Sequence, residues 1–379
     1  MKTSKTSFYK LTAGLVALVL MTSMTAPAYA TLDLIPEGII SGPVGVSSDG
    51  CGTNQPPCNI NQDVPAGATV LQAYLYGVII PAQAPATLTI GLDSTNHTLA
   101  LLPQNTNPTG YEAYRADVTG QVSTALGNNA NHVFSADDSV GQSTNLVDGV
   151  ALVIIYSDAS LPDDGSVLVF DGGLNQNDTA TFNFAEPADT TDPNFAAEMR
   201  LGISFSQQGG PPGTNICGIG SAMFTSVDVN DKRLTSCAGN VDDGDQVANG
   251  ALFTIGGVGD SIGPNPANPF QEAGDGTTPR NTDEDERYDV EPFINNGDRD
   301  LHIDVSNPSN DDFIWISIIT TQGIIIIPPP EDIVGGSIMP LDTTALLIGG
   351  LFANTLWMAP VLGGAAAATA AFYVKSRKN

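Results

Sequence analysis

Between residues 31 and 322, apolar residues occur in short runs that Gly, Asn, Asp and Pro interrupt. The runs Val70–Val78 and Val150–Tyr156 are rich in β-branched and aromatic residues and are too short for typical helices. Short runs bounded by turn-forming residues are typical of β-strands. Because Val150–Tyr156 is apolar at nearly every position, we expect a central strand that is covered on both faces.

The same criteria predict about ten strands and little helix. The remaining strands are Thr87–Leu92, Val167–Phe170, Thr179–Phe184, Ala197–Ser206, Met223–Val229, Gly250–Ile255, Leu301–Val305 and Phe313–Ile319. Only Val118–Leu126 has a helix-like pattern, and residues 256–300 are expected to form an extended loop rather than core. No linker or repeat divides the region, so the sequence predicts an all-β chain with one large β-sandwich domain and long loops over 31–322.

The distribution of charge restricts the partners of this domain. All 41 acidic residues lie within 31–342, together with only seven of the 13 basic residues, so this part carries a net charge of −34. Such a field repels phosphate backbones and excludes nucleic acid as a partner. Cations and cationic surfaces fit the charge better.

The N-terminal 30 residues have the pattern of a secretory signal peptide. Lys2, Lys5 and Lys10 precede an uncharged run over residues 11–21, and Ala28-Tyr29-Ala30 provides a small-x-small cleavage pattern. We therefore expect cleavage after Ala30. The alternative is a first transmembrane helix that is retained.

The C-terminal end predicts a membrane anchor. Residues 345–374 contain no charged residue and exceed the roughly 20 residues that a transmembrane helix requires. Lys375, Arg377 and Lys378 follow, and positive charge marks the cytoplasmic side. The sequence thus predicts a spacer rich in Ile and Pro over 323–342, a transmembrane helix over 343–374 and a cytoplasmic tail over 375–379. An anchor that is later removed by processing is the alternative.

The tail also resembles a known type of anchor. The run from Gly335 to Leu347 (GGSIMPLDTTALL), followed by Trp357-Met358-Ala359-Pro360 and a short basic end, is similar to a C-terminal anchor of archaeal envelope proteins. The resemblance covers about 45 residues. It implies a protein held at the cell surface.

The four cysteines form two pairs that are local in the sequence. Cys51 and Cys58 flank a loop of six residues, and Cys217 and Cys237 flank a longer stretch. In an exported chain this arrangement predicts the disulfides Cys51–Cys58 and Cys217–Cys237. A zinc site with all four thiolates is the alternative, but no C-x2-C spacing supports it.

A series of short motifs follows a fixed order along the chain. The motifs are Val64–Val70 (VPAGATV), Ala73–Tyr76 (AYLY), Tyr114–Thr119 (YRADVT), Asp148–Tyr156 (DGVALVIIY), Val169–Gly172 (VFDG), Val229–Leu234 (VNDKRL) and Tyr288–Val290 (YDV). They span most of 42–322, and the series resembles a β-rich domain of uncharacterised function in archaeal and bacterial surface proteins. The domain often has Trp where this chain has Gly77, and it brings no established catalytic residues, so none is carried over.

Motifs for catalysis are scarce. His97, His132 and His302 are far apart in the sequence, and no metalloprotease, nucleophile-elbow or phosphate-loop motif is present. A glycosidase would need two carboxylates across a groove with aromatic platforms, but aromatic residues are only 7% of the chain. We therefore expect no enzyme, with a surface hydrolase as the weakest alternative.

Aspartate outnumbers glutamate 32 to 9, and short acidic loops of this kind can bind hard cations. The candidate calcium ligands are Asp283, Asp285, Asp289, Asp298 and Asp300, although the spacing is not that of an EF-hand. Solvated turns on an acidic surface are the alternative. No cofactor is required, and calcium is the one candidate.

Asn96 and Asn177 begin N-glycosylation sequons in segments expected to be loops. Together these features predict a single-pass cell-surface protein whose non-catalytic ectodomain has an envelope or adhesion role. The alternative is a surface module that binds carbohydrate or calcium. Expected partners are the membrane, envelope proteins, glycans or cations.

Overall fold

The computed structural model describes residues 32–52, 57–79, 85–102, 111–127, 132–138, 147–174, 177–204, 225–238, 253–260, 286–307 and 312–327. Only the backbone is described for Ser236 and Cys237. The chain divides into two units, residues 1–336 and 337–379, and all described residues belong to the first. The predicted signal peptide and anchor lie outside the described residues. Within the described ranges, no helix is both long and apolar enough to cross a bilayer.

Among these residues 20 strands, numbered β1 to β20 along the chain, form three sheets. They are joined by one α-helix, α1 (Thr119–Leu126), and one 3-10 helix (Glu291–Phe293). The predicted all-β class is confirmed, as is the one predicted helix. Its apolar residues Val122 and Leu126 are buried against the eight-stranded sheet described below.

The seven-stranded sheet lies in the middle of the fold and is called the central sheet. Its strands are β1 (Leu32–Leu34), β2 (Ile40–Gly42), β11 (Gly165–Leu174), β13 (Ala196–Ser204), β16 (Thr254–Ile255), β17 (Arg287–Asp289) and β19 (Phe313–Gln322). The order is β1-β11-β19-β13-β16, with β2 also pairing β11 and β17 also pairing β13. All of these pairs are antiparallel.

The eight-stranded sheet bends over itself and is called the curled sheet. Its strands are β3 (Val44–Cys51), β4 (Cys58–Ile60), β5 (Thr69–Ile79), β6 (Thr87–Leu92), β7 (Thr95–Leu101), β8 (Glu112–Asp117), β9 (Phe134–Asp137) and β10 (Val147–Ser157). The order is β3-β10-β5-β8-β7-β6-β9-β4. Leu75 and Leu152 share a core with Ile90 and Phe134 from distant strands of the same sheet, which requires the sheet to curl.

The five-stranded sheet is called the outer sheet. Its strands are β12 (Asn177–Phe184), β14 (Thr225–Val229), β15 (Lys232–Ala238), β18 (Asp300–Ser306) and β20 (Ile326–Ile327), in the order β15-β14-β18-β12-β20. On β18 the buried residues alternate with partly exposed ones, the pattern of a sheet with one face in the core and one in solvent.

Two apolar cores separate the three layers, and β19 contributes to both. Ile314 and Ile319 pack with Leu301 and Ile303 of the outer sheet. Trp315, one residue along, packs with the curled sheet, because successive side chains in a strand point to opposite faces. The central sheet is therefore buried on both faces, and the fold has three layers rather than the two of a simple sandwich.

The prediction that Val150–Tyr156 forms a strand covered on both faces is confirmed, because its residues alternate between two cores. Ala151 and Val153 face the central sheet, whereas Leu152 and Ile154 face the inside of the curled sheet. The strand is longer than predicted, because β10 runs from Val147 to Ser157. Both of its edges are paired, with β3 on one side and β5 on the other.

Gly77 lies directly against the ends of two side chains of the curled sheet. A Cβ there would lie 2.6 Å from both Ile90 Cδ1 and Leu88 Cδ2. Real Cβ atoms do not approach other atoms so closely. Two aliphatic side chains of β6, which is not a direct neighbour of β5 in the sheet, therefore fill this position.

The prediction that residues 256–300 form a loop outside the core is wrong for the second part of that segment. Tyr288, Val290, Phe293 and Ile294 are buried in the core between the central and outer sheets. Residues 261–285 lie outside the described ranges. The error arose because Asp, Asn and Gly flank these isolated apolar residues, so no strand or helix period is visible.

Candidate functional site

The polar face of β13 points towards the curled sheet. Its odd-numbered residues, such as Met199 and Leu201, pack in the core with the outer sheet. The even-numbered residues Glu198, Arg200 and Ser204 therefore point the other way. This alternation places an acid and a base at the contact between two sheets.

Glu198 is held between two arginines. Arg200 donates from Nε to Oε1 of Glu198 at 2.6 Å, and Arg287 of β17 donates from Nη2 to Oε2 at 2.9 Å. Burial alone would raise the pKa of the Glu198 carboxyl, but the two guanidinium groups outweigh burial and lower it below its ordinary value. Glu198 is therefore an ionised structural partner and not a proton donor.

Arg200 extends this chain of contacts to the curled sheet. Its Nη1 donates to Oγ of Ser48 on β3 at 2.9 Å, and the Ser48 hydroxyl donates in turn to the carbonyl of Gly256 at 2.6 Å. Arg200 is only 4% exposed, so the guanidinium is a buried charge that these contacts satisfy. The contacts bring together β13, β3 and the segment that follows β16.

That segment, residues 256–260, is called the strap. It lies directly against two neighbouring backbones, since a Cβ on Gly256 would lie 2.2 Å from the Glu286 carbonyl oxygen. A Cβ on Gly257 would lie 1.9 Å from the carbonyl oxygen of Ser48. The strap is also tied by a bond of 3.0 Å from the Val258 amide to the Ser48 carbonyl. Only glycine permits so close an approach of backbone to backbone.

Two carboxylates, Asp49 and Asp260, lie next to the residues that tie the strap to β3. Asp49, next to Ser48, accepts a hydrogen bond from the backbone amide of Asn61. Asp260, the last residue of the strap, accepts one from the amide of Gly257. We call Asp49, Glu198, Arg200, Asp260 and Arg287 the charged cluster.

The two aspartates bind protons more tightly than aspartate in water. Burial raises the pKa of Asp49 to about 6 and that of Asp260 to about 7, from an ordinary value of 3.8. The negative charge of Asp49 adds to the shift of Asp260, while Arg287 and Arg200 oppose it. Both groups therefore change charge near neutral pH, which is the property that general acids and bases and pH-sensitive contacts share.

A cavity of about 290 Å³ lies elsewhere, between residues 64–70 and the C-terminal end of α1. It is lined by small and aliphatic residues together with the hydroxyl-bearing Thr69 and Ser123. No titratable side chain lines it. The cavity and the charged cluster are thus separate features of the molecule.

The predicted calcium ligands are only partly described. Asp283 and Asp285 lie outside the described residues. Asp289 accepts the amide of Glu291 at 3.0 Å, Asp298 accepts the amide of Asn295 at 2.7 Å, and Asp300 is exposed at the start of β18. Within the described part of the chain, no three His, Cys, Asp or Glu side chains are arranged to hold a metal. A calcium site stays a prediction.

The first predicted disulfide is present, since Cys51 is bonded to Cys58. It joins the end of β3 to the start of β4, which are the two end strands of the curled sheet. Cys217 and the side chain of Cys237 lie outside what the structure describes. Asn96 and Asn177, the predicted glycosylation sites, are exposed, but the prediction that they lie in loops is wrong, because Asn96 lies on β7 and Asn177 begins β12.

The three histidines do not come together. Their partners are Gln121 for His97, Asp93 for His132 at 3.1 Å, and Asp304 for His302 at 3.1 Å. Each histidine therefore belongs to a separate local contact. This agrees with their wide spacing in the sequence.

Sequence reasoning missed every member of the charged cluster. One signal was present in β13, where Glu198 and Arg200 occupy alternate positions of a strand that is otherwise free of polar side chains up to Ile203. Such a pattern indicates charged groups that face a second layer rather than solvent. Asp49 and Asp260 gave no comparable signal, because short polar and Gly-rich segments surround both.

No family model matches the chain, and no curated protein matches it. Among solved structures, it is similar to the crystal structure of BuGH86wt in complex with neoagarooctaose, with 11% identity, a TM-score of 0.20 and coverage of 78% of this chain and 34% of the other. It is also similar to BpGH86A, a β-porphyranase of glycoside hydrolase family 86 from the human gut bacterium Bacteroides plebeius. For that structure the identity is 8%, the TM-score 0.20 and the coverage 76% and 38%. The chain spans little more than a third of these structures, and the scores are too low to assign a fold or a function.

Proposed function

We propose that this chain is a cell-surface protein whose β-rich part is a non-catalytic envelope or adhesion module. In this proposal residues 1–30 direct export and are removed, and residues 343–374 hold the protein in the membrane. Residues 31–322 then project outward. The basic tail 375–379 stays in the cytoplasm.

The observation that carries the proposal is the position of the Cys51–Cys58 disulfide. Disulfides persist in oxidising compartments and are rare in the cytosol. This one joins the two end strands of the curled sheet and limits the freedom of the unfolded chain. A covalent bond of this kind suits a module that stands outside the cell.

The charge of the module supports the same interpretation. A net charge of −31 over residues 31–322 keeps acidic surfaces apart and favours contact with cations or with cationic partners. Of the five arginines that the structure describes, four are paired with carboxylates: Arg115, Arg200, Arg233 and Arg287. The module therefore offers a largely anionic surface to its surroundings.

Fractionation of cells that express the full chain tests the proposal. The full chain should sediment with membranes, and protease added to intact cells should release a fragment that contains β1 to β20. A matched variant that ends at Asp342 should appear in the medium or periplasm instead. Recovery of the full chain from the cytosol with residues 1–30 still attached would contradict the proposal.

A further inference from the structure

We propose that the Cys51–Cys58 disulfide is a redox-sensitive fastener that keeps the curled sheet closed. A dithiol reductant that breaks this bond releases residues 58–64 from β3, while the remainder of the domain stays folded. We call the contact between β3 and residues 58–63 the seam. This property belongs to the described domain and does not depend on where the protein resides.

The seam is closed by side chains rather than by a backbone ladder. β3 and β4 lie at the two ends of the strand order, and no ladder joins them in the described part of the chain. Alternate residues of a strand share a face, and three such residues of β3 each bond to the segment opposite. The three bonds join Cys51 to Cys58, the Asp49 carboxylate to the Asn61 amide, and the Ser47 hydroxyl oxygen to the Asp63 amide at 3.0 Å.

The segment on one side of the seam covers part of the core of the curled sheet. Ile60 and Val64 are buried and belong to the same core as Phe134 and Leu152. Cys51 is part of this core as well. Release of residues 58–64 therefore exposes apolar surface, and the closed seam is the favoured state while the disulfide is intact.

The two sides of the seam are attached to the rest of the domain unequally. β3 pairs with β10 along its whole length, and Ser48 also ties it to Arg200 and to the strap. β4 pairs with β9 only over the short stretch from Cys58 to Ile60. The side with fewer attachments should open first when the disulfide is broken. Local opening therefore moves residues 58–64 and leaves β3 in place.

A thiolate can reach the disulfide from the Cys58 side. Cys51 is only 6% exposed, whereas Cys58 is half-buried. One thiolate of the dithiol attacks the Cys58 sulfur, a mixed disulfide forms there, and Cys51 leaves as a thiolate. The second thiol then attacks the reductant sulfur of the mixed disulfide, closes the disulfide of the reductant and releases Cys58. In total, two electrons and two protons pass from the dithiol to the two cysteines.

Hydrogen–deuterium exchange of the full chain, read by mass spectrometry, tests the fastener. Cys217 and Cys237 are replaced by serine, so that Cys51 and Cys58 are the two remaining cysteines of the chain. Exchange at one pH is compared with and without dithiothreitol, and alkylation measures the thiols that are released. We expect protection of a peptide over residues 58–64 to fall by about tenfold or more on reduction. Protection of the β5 peptide, residues 69–79, should not change.

Two variants separate the disulfide from the hydrogen bonds of the seam. Cys51→Ser with Cys58→Ser should show low protection of residues 58–64 with or without dithiothreitol. Ser47→Ala removes the acceptor of the Asp63 amide, so it should lower protection further in the reduced chain, where hydrogen bonds alone close the seam. In the oxidised chain the same change should have little effect. Ser306→Ala, at a partly exposed position of β18, is the matched control and should alter neither state.

Three outcomes would overturn the proposal. The first is unchanged protection of residues 58–64 in a chain whose two thiols are shown by alkylation to be free. The second is a parallel loss in the β5 peptide, which would indicate global unfolding instead of local opening. The third is a disulfide that dithiothreitol reduces only after urea has unfolded the chain. If the double serine variant does not fold, the reduced chain decides, because it folds with the bond intact and is reduced afterwards.

Discussion

The phenolic hydroxyl of Tyr76 donates a hydrogen bond of 2.9 Å to Oδ2 of Asp171, and this bond crosses from the curled sheet to the central sheet. The same oxygen accepts from Nη1 of Arg115 at 2.5 Å, and the Arg115 guanidinium lies 5.1 Å from the centroid of the Tyr74 ring. Burial raises the pKa of Asp171, and Arg115 and Tyr76 only partly offset it. The buried carboxylate thus depends on partners from the opposite layer.

Removal of these partners should have unequal effects. Tyr76→Phe removes one hydrogen bond but leaves Asp171 paired, so we expect a loss of about 1–3 kcal/mol in the free energy of unfolding. Arg115→Met leaves the buried carboxylate without its counter-ion and should cost about 3–5 kcal/mol. Urea denaturation measures both. A smaller loss for Arg115→Met than for Tyr76→Phe would show that the ion pair does not support the layer contact.

The Cys51–Cys58 disulfide should stabilise the domain by limiting the freedom of the unfolded chain. The two residues are seven positions apart, and closing so short a loop contributes about 2–3 kcal/mol in the chain-entropy model. The double variant Cys51→Ser with Cys58→Ser should lose about this amount in urea denaturation. Alkylation without reductant, followed by mass spectrometry, should leave both cysteines of the natural chain unlabelled. Labelling of either one would contradict the bond.

Asp138 should make stability depend on pH. It is 5% exposed, and burial raises its pKa to about 6, so its contribution is complete below its ordinary value of 3.8 and is lost as the pH rises through about 6. Between about pH 5 and about pH 8 this group alone should lower the free energy of unfolding by about 1 kcal/mol. The variant Asp138→Asn should lack this pH-dependent decrease in the free energy of unfolding. The control variant Asp231→Asn, at an exposed position, should show the same decrease as the natural chain. Parallel curves for the natural chain and Asp138→Asn would disprove the assignment.

Phe253 should be among the most costly positions to truncate. Its ring stacks on Trp315 at 5.4 Å, and Trp315 in turn lies 5.3 Å from the Tyr76 ring. Phe253→Ala should cost about 3–5 kcal/mol, because it opens a cavity in the core between two sheets. Val133→Ala, at a side chain that is 48% exposed, should change stability by less than about 0.5 kcal/mol. Similar losses for the two variants would show that Phe253 is not part of the packed core.

Tryptophan fluorescence offers an independent measurement of the same core. In a Trp357→Phe background, Trp315 is the one remaining tryptophan of the chain. Its emission should shift to the blue on folding, and Phe253→Leu should alter that emission because a stacked ring is replaced. An emission that matches the unfolded chain would mean that Trp315 is not enclosed by Tyr76 and Phe253.

The strands that the sequence predicted well are those whose burial is visible in one run of residues. β10 is apolar at almost every position because both faces lie in cores, and β5 is apolar along its second half for the same reason. β3 was missed although all eight of its residues are buried. The sequence pattern of β3 is that of a polar turn, because it contains Ser47, Ser48 and Asp49. In the structure these side chains are hydrogen-bonded to Asp63, Gly256 and Asn61, respectively.

The sequence by itself determined that the described chain is a β protein, that Cys51 pairs with Cys58, and that the domain carries a large negative charge. These properties follow from local composition and from the spacing of residues along the chain. Only the tertiary structure decided that there are three layers and that Asp49 and Asp260, which are 211 positions apart in the sequence, influence each other's charge. The pairing of distant strands brings such residues together, and the resulting burial, which no local pattern records, moves their pKa values to about 6 and about 7.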